Sequence, residues 1–206
     1  MICRRALRKM AGLPDRDDTP IVGMVTRMTP QKGINLLGEA LDAVMGLGVQ
    51  LVMLASGDPS LEKFFKSAEE RFPGQLYVQF AFDNPLAHQI QAGSDIFLMP
   101  SRFEPCGLTQ MYALKYGTAP LVRATGGLKD TISEFDPQLF TGNGFMFTDY
   151  RPGAMVDALT RAARLYIDRG AWDRLMDNCF AADFSWTVAA RHYLRWFDDV
   201  RRARGV

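Results

Sequence analysis

Five short runs in this chain are almost purely apolar: Ile21-Val22-Gly23-Met24-Val25, Gln50-Leu51-Val52-Met53-Leu54, Leu76-Tyr77-Val78-Gln79-Phe80, Asp95-Ile96-Phe97-Leu98-Met99 and Ala119-Pro120-Leu121-Val122. A strand with one wet face alternates apolar and polar residues, whereas a strand covered on both faces does not. Helical periodicity fills the intervals, over about 33–46, 60–72, 84–92 and 107–117. In the first of these, Leu36, Leu37, Ala40, Leu41, Val44 and Met45 recur at i, i+3 and i+4, the pattern of a helix with one buried stripe. Buried strands alternating with helices require parallel strands joined by helical crossovers. The expected fold is therefore α/β, a doubly wound, Rossmann-like parallel sheet. A sixth short strand is expected at Phe145–Phe147, giving about six in all.

After about residue 152 the strands stop, and helices are expected at 152–169, 171–181 and 186–203. The opening Met1-Ile2-Cys3-Arg4-Arg5-Ala6-Leu7-Arg8-Lys9 is basic but lacks the serines of a transit peptide, and reads as a first helix. The polar stretch from Pro14 to Pro20 is a lead-in to the first strand rather than a linker between domains. With 206 residues the chain holds one domain with a sizeable core, spanning 1–206, and falls short of two full α/β domains.

Composition narrows the function classes. Hydrophobic residues at 48% and charged residues at 23% exclude a disordered chain. The net charge of +1 argues against a protein that grips nucleic acid over its whole surface. Cys3, Cys106 and Cys179 show no paired spacing and there are only two histidines, which argues against a disulfide framework and against a zinc site. A reducing cytoplasm is the simpler setting. No apolar run approaches the roughly 18–20 residues of a membrane span.

In a doubly wound sheet, ligands bind at the carboxyl ends of the strands. Three loops there carry chemistry. After the first strand, Arg27-Met28-Thr29-Pro30-Gln31-Lys32-Gly33 sets two cations beside a helix start, suited to a diphosphate. Taken alone it is equally a surface turn with solvated cations. After the fourth strand, Pro100-Ser101-Arg102-Phe103-Glu104-Pro105-Cys106-Gly107-Leu108-Thr109-Gln110 leads into a helix, with Pro105 near its first turn. The amides of Gly107, Leu108 and Thr109 there are expected to be free donors suited to phosphate. Glu104 can also be a first-turn acid that favours the helix dipole. After the fifth strand, Thr125-Gly126-Gly127-Leu128 is either a tight turn or a backbone that lets a ligand approach closely.

Taken together, the loops resemble one family. Residues 20–35 (PIVGMVTRMTPQKGIN), 94–122 (SDIFLMPSRFEPCGLTQMYALKYGTAPLV), 123–131 (RATGGLKDT) and 183–190 (DFSWTVAA) are similar, in order and spacing, to segments of the bacterial-type glycogen and starch synthases. The similarity spans residues 12–200. Other retaining GT-B transferases, the sucrose synthases among them, carry a second glutamate eight positions after the first; here that position is Tyr112, as in the glycogen synthases. The carboxylate that holds ribose hydroxyls in those relatives is thereby absent.

The resemblance implies one half of a GT-B fold and an ADP-glucose-dependent α-1,4-glucan synthase that retains anomeric configuration and needs no metal or other cofactor. Arg27 and Lys32 would neutralise the diphosphate, and Glu104 would hold the glucosyl hydroxyls. The amides of Gly107, Leu108 and Thr109 would take phosphate oxygens, with Thr125, Gly126 and Gly127 at the same site. Phe82 would stack on adenine where relatives carry tyrosine after glycine; Ala81 replaces that glycine, and the plain alternative for Phe82 is a core position. Cys106, His88 and His192 are assigned no catalytic part, and the eleven methionines fill the core. The α-1,4-glucan acceptor belongs to an N-terminal domain that nothing here matches, so the chain alone is expected to be inactive. The alternatives are a nucleotide- or glucan-binding module acting through a partner chain, and a transferase using a UDP-sugar. Trp186, Ala190, Tyr193, Leu194, Phe197 and Val200 form a helical stripe, flanked by Trp196, wider than one core can cover. Part of it is expected to stay exposed as an interaction face.

Overall fold

The computed structural model describes residues 2–205. Six strands form one sheet: β1 (Ile21–Met28), β2 (Gln50–Gly57), β3 (Leu76–Phe80), β4 (Ile96–Met99), β5 (Ala119–Arg123) and β6 (Phe145–Phe147). Among the described residues nine helices accompany them: α1 (Ile2–Met10), α2 (Ile34–Met45), α3 (Pro59–Arg71), α4 (Asn84–Gly93), α5 (Thr109–Lys115), α6 (Gly126–Thr131), α7 (Pro152–Ile167), α8 (Arg169–Ala181) and α9 (Trp186–Ala203). A single 3-10 turn, Pro30–Lys32, lies between β1 and α2. The strand order is β3-β2-β1-β4-β5-β6 and every pairing is parallel. The chain thus winds outward from β1 in one direction and from β4 in the other, and their junction is the switch point where such sheets bind ligands.

The helical stripe of α2 packs as expected, with Leu36, Leu37, Ala40, Leu41, Val44 and Met45 all buried. Beyond β6, Trp172 of α8 lies edge-on to Tyr166 of α7 at 5.1 Å and stacks on Phe145 at 6.4 Å between ring centroids. This aromatic cluster fastens α7 and α8 to the edge of the sheet. Buried Arg8 of α1 donates to Gln50 Oε1 (2.8 Å) and to the Thr19 carbonyl (2.6 Å), so a charged group sits inside with its donors met.

Three expectations need correction. First, β1 runs to Met28, so Arg27 is a strand residue and does not lie in the following loop. Thr26 and Arg27 end the apolar run, but the ladder continues, with Arg27 opposite Ser56 and Met28 opposite Gly57. Second, the helix expected over 107–117 covers only Thr109–Lys115. Pro105 is not in its first turn, and neither is Glu104. Third, the Thr125-Gly126-Gly127 segment opens a short helix, α6, which two glycines conceal from a propensity reading.

Helix α9 ends the described chain and buries none of its residues. Trp186 is 87% exposed, Leu194 62%, Tyr193 and Trp196 59% each and Phe197 52%. The expected open stripe is present and extends over every apolar member. No helix among the described residues is long and apolar enough to cross a membrane.

Candidate functional site

β1 and β4 pair only at Val22–Ile96 and Gly23–Phe97. Beyond these pairs the strands part, and their carboxyl ends border a cleft of about 260 Å³ lined by Arg27, Lys32, Phe82, Ser101 and Thr109 among others. Arg27 reaches it from the end of β1. Its exposed guanidinium makes no hydrogen bond or ion pair among the described residues, so it is an uncommitted cation at the mouth of the crevice.

Lys32 enters from the 3-10 turn, which is fastened to the end of β4. Gly33, with φ of 73°, lies against Pro100, and a Cβ there would stand 2.0 Å from the Pro100 carbonyl oxygen. Only glycine allows both that backbone angle and that approach. The Arg102 amide donates to the Gln31 carbonyl at 2.8 Å, a second tie between the two loops. These ties set Lys32 Nζ 2.6 Å from Glu104 Oε2.

Glu104 is 8% exposed, and the hydroxyl of Ser101 donates to the same Oε2 at 3.2 Å. The helix-dipole alternative for Glu104 is excluded because α5 starts five residues later, at Thr109. Its carboxylate is instead held by a cation and a hydroxyl from two different loops. Lys32 and Glu104, assigned separate roles by resemblance, are thus one ion pair in this state. Removing either partner leaves the other poorly solvated, which is where such pairs are costly to break. Arg27 carries the unneutralised charge.

Gly107 and Leu108 lie in the turn ahead of α5, and their amides have no acceptor among the described residues. At the next loop the Gly127 amide is already engaged, donating to the Glu104 carbonyl at 3.1 Å, while the Gly126 amide has no acceptor among the described residues. What approaches these glycines closely is protein: a Cβ on Gly126 would stand 2.1 Å from the Glu104 carbonyl oxygen, and one on Gly127 2.1 Å from that of Cys106. Phe82 is 97% exposed on the far lip of the cleft, which excludes the core alternative and presents a free aromatic face.

Tyr112 is half exposed on α5 and does not line the cleft. His88 Nδ1 meets the Tyr116 hydroxyl at 2.9 Å, away from the cleft lining. Two features escaped the sequence reading. Ser101 follows β4 by two residues and has no motif of its own. Arg123, at the end of β5, donates to the carbonyls of Arg102 (2.5 Å) and Thr148 (3.1 Å), and its guanidinium lies 5.5 Å from the ring centre of Tyr150. The Tyr150 hydroxyl in turn meets Asn35 Oδ1 at 3.0 Å, tying the β6–α7 loop to α2. Nothing in residue type or spacing announces contacts across 21 and 115 residues. Among the described residues no three histidine, cysteine, aspartate or glutamate side chains gather to hold a metal ion.

A cleft at the switch point of a doubly wound sheet admits many chemistries, and similarity to other proteins narrows them. The profile of the family described as Glycosyl transferases group 1 matches residues 7–174. The chain belongs to that family. Among the curated relatives of this group 1 transferase chain is the glycogen synthase of Anaeromyxobacter dehalogenans, 48% identical over 191 residues, covering 93% of this chain and 40% of the relative. Glycogen synthase 1 of Geobacter metallireducens is 45% identical over 204 residues, covering 98% of this chain and 41% of the relative. The catalytic domain of Starch Synthase IV from Arabidopsis thaliana, solved bound to ADP and acarbose, superposes with a TM-score of 0.87 at 37% identity, covering 96% of this chain and 42% of that one. The fold is accordingly the Rossmann-like half of a GT-B glycosyltransferase. The group 1 transferase chain spans about 40% of the length of the curated relatives it matches.

Proposed function

We propose that this chain is the nucleotide-sugar half of a glycogen (starch) synthase, binding ADP-glucose for retaining transfer of glucose to an α-1,4-glucan. The observation that carries this reading is the cleft itself: an uncommitted Arg27, an exposed Phe82 and Lys32, the cation paired with Glu104, line one crevice. The names of the relatives supply the donor and acceptor classes.

In this reading Phe82 stacks on the base, and the free amides of Gly107, Leu108 and Gly126, with the Thr125 and Thr109 segments beside them, face the phosphates. Arg27 meets the diphosphate directly. Lys32 shares its charge between Glu104 and the incoming diphosphate, and as it turns toward the phosphate the carboxylate is released to accept glucosyl hydroxyls. Negative charge grows on the diphosphate as the glycosidic bond to it breaks, so cations placed in advance are worth most in the transition state. No metal or cofactor is invoked. The acceptor glucan is assigned to the remainder of the protein, and the chain alone is inactive because donor and acceptor are not aligned. Three free cysteines are in keeping with a cytoplasmic setting.

Calorimetric titration of the chain with ADP tests the reading. A charge-assisted contact of about 1.5–3 kcal/mol and a stack of about 1–3 kcal/mol, less the ordering cost, give an expected Kd between about 10 μM and several mM. UDP is expected to bind more weakly. Arg27→Ala should weaken ADP binding about tenfold. No binding at millimolar ADP overturns the preformed site, and equal or tighter binding of UDP overturns the assigned donor.

A further inference from the structure

Gln110 is a polar residue completely buried on α5. Its Nε2 donates to the Gly107 carbonyl at 2.9 Å, to the Cys106 carbonyl at 3.3 Å and to the Thr131 hydroxyl at 3.2 Å. Its Oε1 has no partner at all. A buried acceptor without a partner is destabilising, so the amide is explained by what its donor side holds.

That donor side closes a ring. The Thr131 hydroxyl, at the end of α6, donates to the Gly127 carbonyl at 2.7 Å. The Gly127 amide donates to the Glu104 carbonyl at 3.1 Å. From Glu104 the chain runs through Pro105 and Cys106 to Gly107, where Gln110 takes hold again. Gly107 has φ of 75°, so the turn that presents its amide and that of Leu108 is held in the left-handed region from beneath. Gly126 and Gly127 lie against the carbonyls of Glu104 and Cys106 closely enough to exclude any side chain. The Gln110–Thr131 link thus adds a side-chain tie between α5 and α6 to the backbone bond from Gly127 to Glu104 that already joins the loops after β4 and β5.

We propose that Gln110 and Thr131 form a positioning pair, which locks the Gly107–Leu108 turn, the Gly126 amide and the backbone of Glu104 into one rigid phosphate-facing frame. The consequence for ligand binding rests on the proposed nucleotide-sugar site; the frame itself does not. Neither side chain lines the cleft, and of the loop they hold only Pro100, Ser101 and Thr109 do, so the pair is assigned no donor contact of its own. Their effect is exerted through the backbone they hold. Binding is strongest when the donors are fixed before the ligand arrives, and loosening them weakens it without removing any contact.

Amide hydrogen exchange on the whole chain tests the frame directly. Thr131→Val keeps the size of the side chain and removes the hydroxyl, while Gln110→Met keeps its length and removes the amide. Each is expected to speed exchange together at the Gly127 amide, held by the Glu104 carbonyl, and at the Tyr112 amide, held by the Leu108 carbonyl. Faster exchange confined to the mutated loop overturns the frame. ADP titration reads the consequence: each variant should bind about five- to tenfold more weakly than the parent, and Thr131→Ser, which restores the hydroxyl, should return to within about twofold. A merely structural pair would lower the melting temperature and leave the affinity unchanged at temperatures where the variant is folded; that result overturns the positioning role. If Gln110→Met fails to fold, Thr131→Val and Thr131→Ser decide the matter between them. If the parent itself binds no ADP, the proposed donor site falls, and the exchange pattern still judges the frame.

Discussion

Helices α8 and α9 follow one another in the chain, and both carry apolar and aromatic residues at helical spacing, but they meet opposite fates. Asp168 caps α8, accepting from the Ala171 amide at 3.1 Å, and α8 buries Ala171, Trp172, Leu175 and Cys179. Its far end is held by Lys115, which donates to the Ala182 carbonyl at 2.9 Å. No side chain caps α9, and nothing on it is buried. An amphipathic pattern says which face of a helix seeks cover; it does not say what supplies the cover. For α8 the cover is α7, α5 and β5, with the rings of Tyr166 and Phe145 against Trp172. For α9 no cover exists among the described residues.

The burial of α8 also sets the chemistry of its cysteine. Cys179 is buried in α8, donates to the Asn143 carbonyl at 3.3 Å, and burial pushes its thiol up to about 12. Only the thiolate reacts, so at pH 8 Cys179 should be alkylated at least about a thousandfold more slowly than an ordinary exposed cysteine. Mass spectrometry after brief alkylation should show Cys3 and Cys106 modified and Cys179 intact; rapid labelling of all three would mean that α8 is loosely held. The same shift sets a pH dependence. The fold favours the neutral thiol, so this contribution is fully present below the ordinary thiol pKa, 9.0, and is lost as pH climbs from there toward 12. Alkaline titration of the melting temperature checks the direction.

Substitutions separate the two helices next. Trp172→Ala removes a core ring and should cost about 3–5 kcal/mol in denaturant unfolding. On the proposed function, in a protein that also carries the acceptor domain, Glu104→Ala should lower glucose transfer about a hundredfold or more while leaving ADP affinity within about threefold, because that reading gives it the sugar as partner; an equal loss of affinity would reassign it to nucleotide binding. On the proposed function, an N-terminal acceptor domain supplied in trans should raise the melting temperature of this chain by mass action and reduce the exposure of the α9 tryptophans. The Trp196→Ser, Phe197→Ser double variant should abolish that rise, and a rise that survives would move the docking face elsewhere. In the isolated chain the same double variant should change stability by less than about 0.5 kcal/mol. A loss comparable to that of Trp172→Ala would show that α9 packs in solution after all.

Part of the site was legible for a simple reason. Arg27, Lys32, Glu104 and Phe82 lie within or just beyond strand ends, and the strands were visible as apolar runs, so their side chains were bound to meet on one rim. The details were not legible because they depend on contacts between loops far apart in sequence. The pairing of Lys32 with Glu104 spans 72 residues. The engagement of the Gly127 amide by Glu104, and the link from Gln110 to Thr131, depend on how two loops stack once the sheet has formed. Likewise the glycines at 126 and 127 signal close approach in any sequence, but only the structure shows that the approaching atoms are the carbonyls of Glu104 and Cys106.

The sequence by itself determined the class of fold, because uninterrupted apolar strands alternating with amphipathic helices have one economical solution, a parallel sheet covered on both faces. It also determined which loops share the carboxyl rim and that the last helix carries too wide an apolar face. Tertiary structure alone decided that Lys32 is spent on Glu104 while Arg27 is free, that Phe82 faces open space, and that α9 stands uncovered while α8 sinks into the core. Local periodicity records what each segment would bury; which charges neutralise one another and which faces find a partner are set by distances between segments, and those exist only in the folded chain.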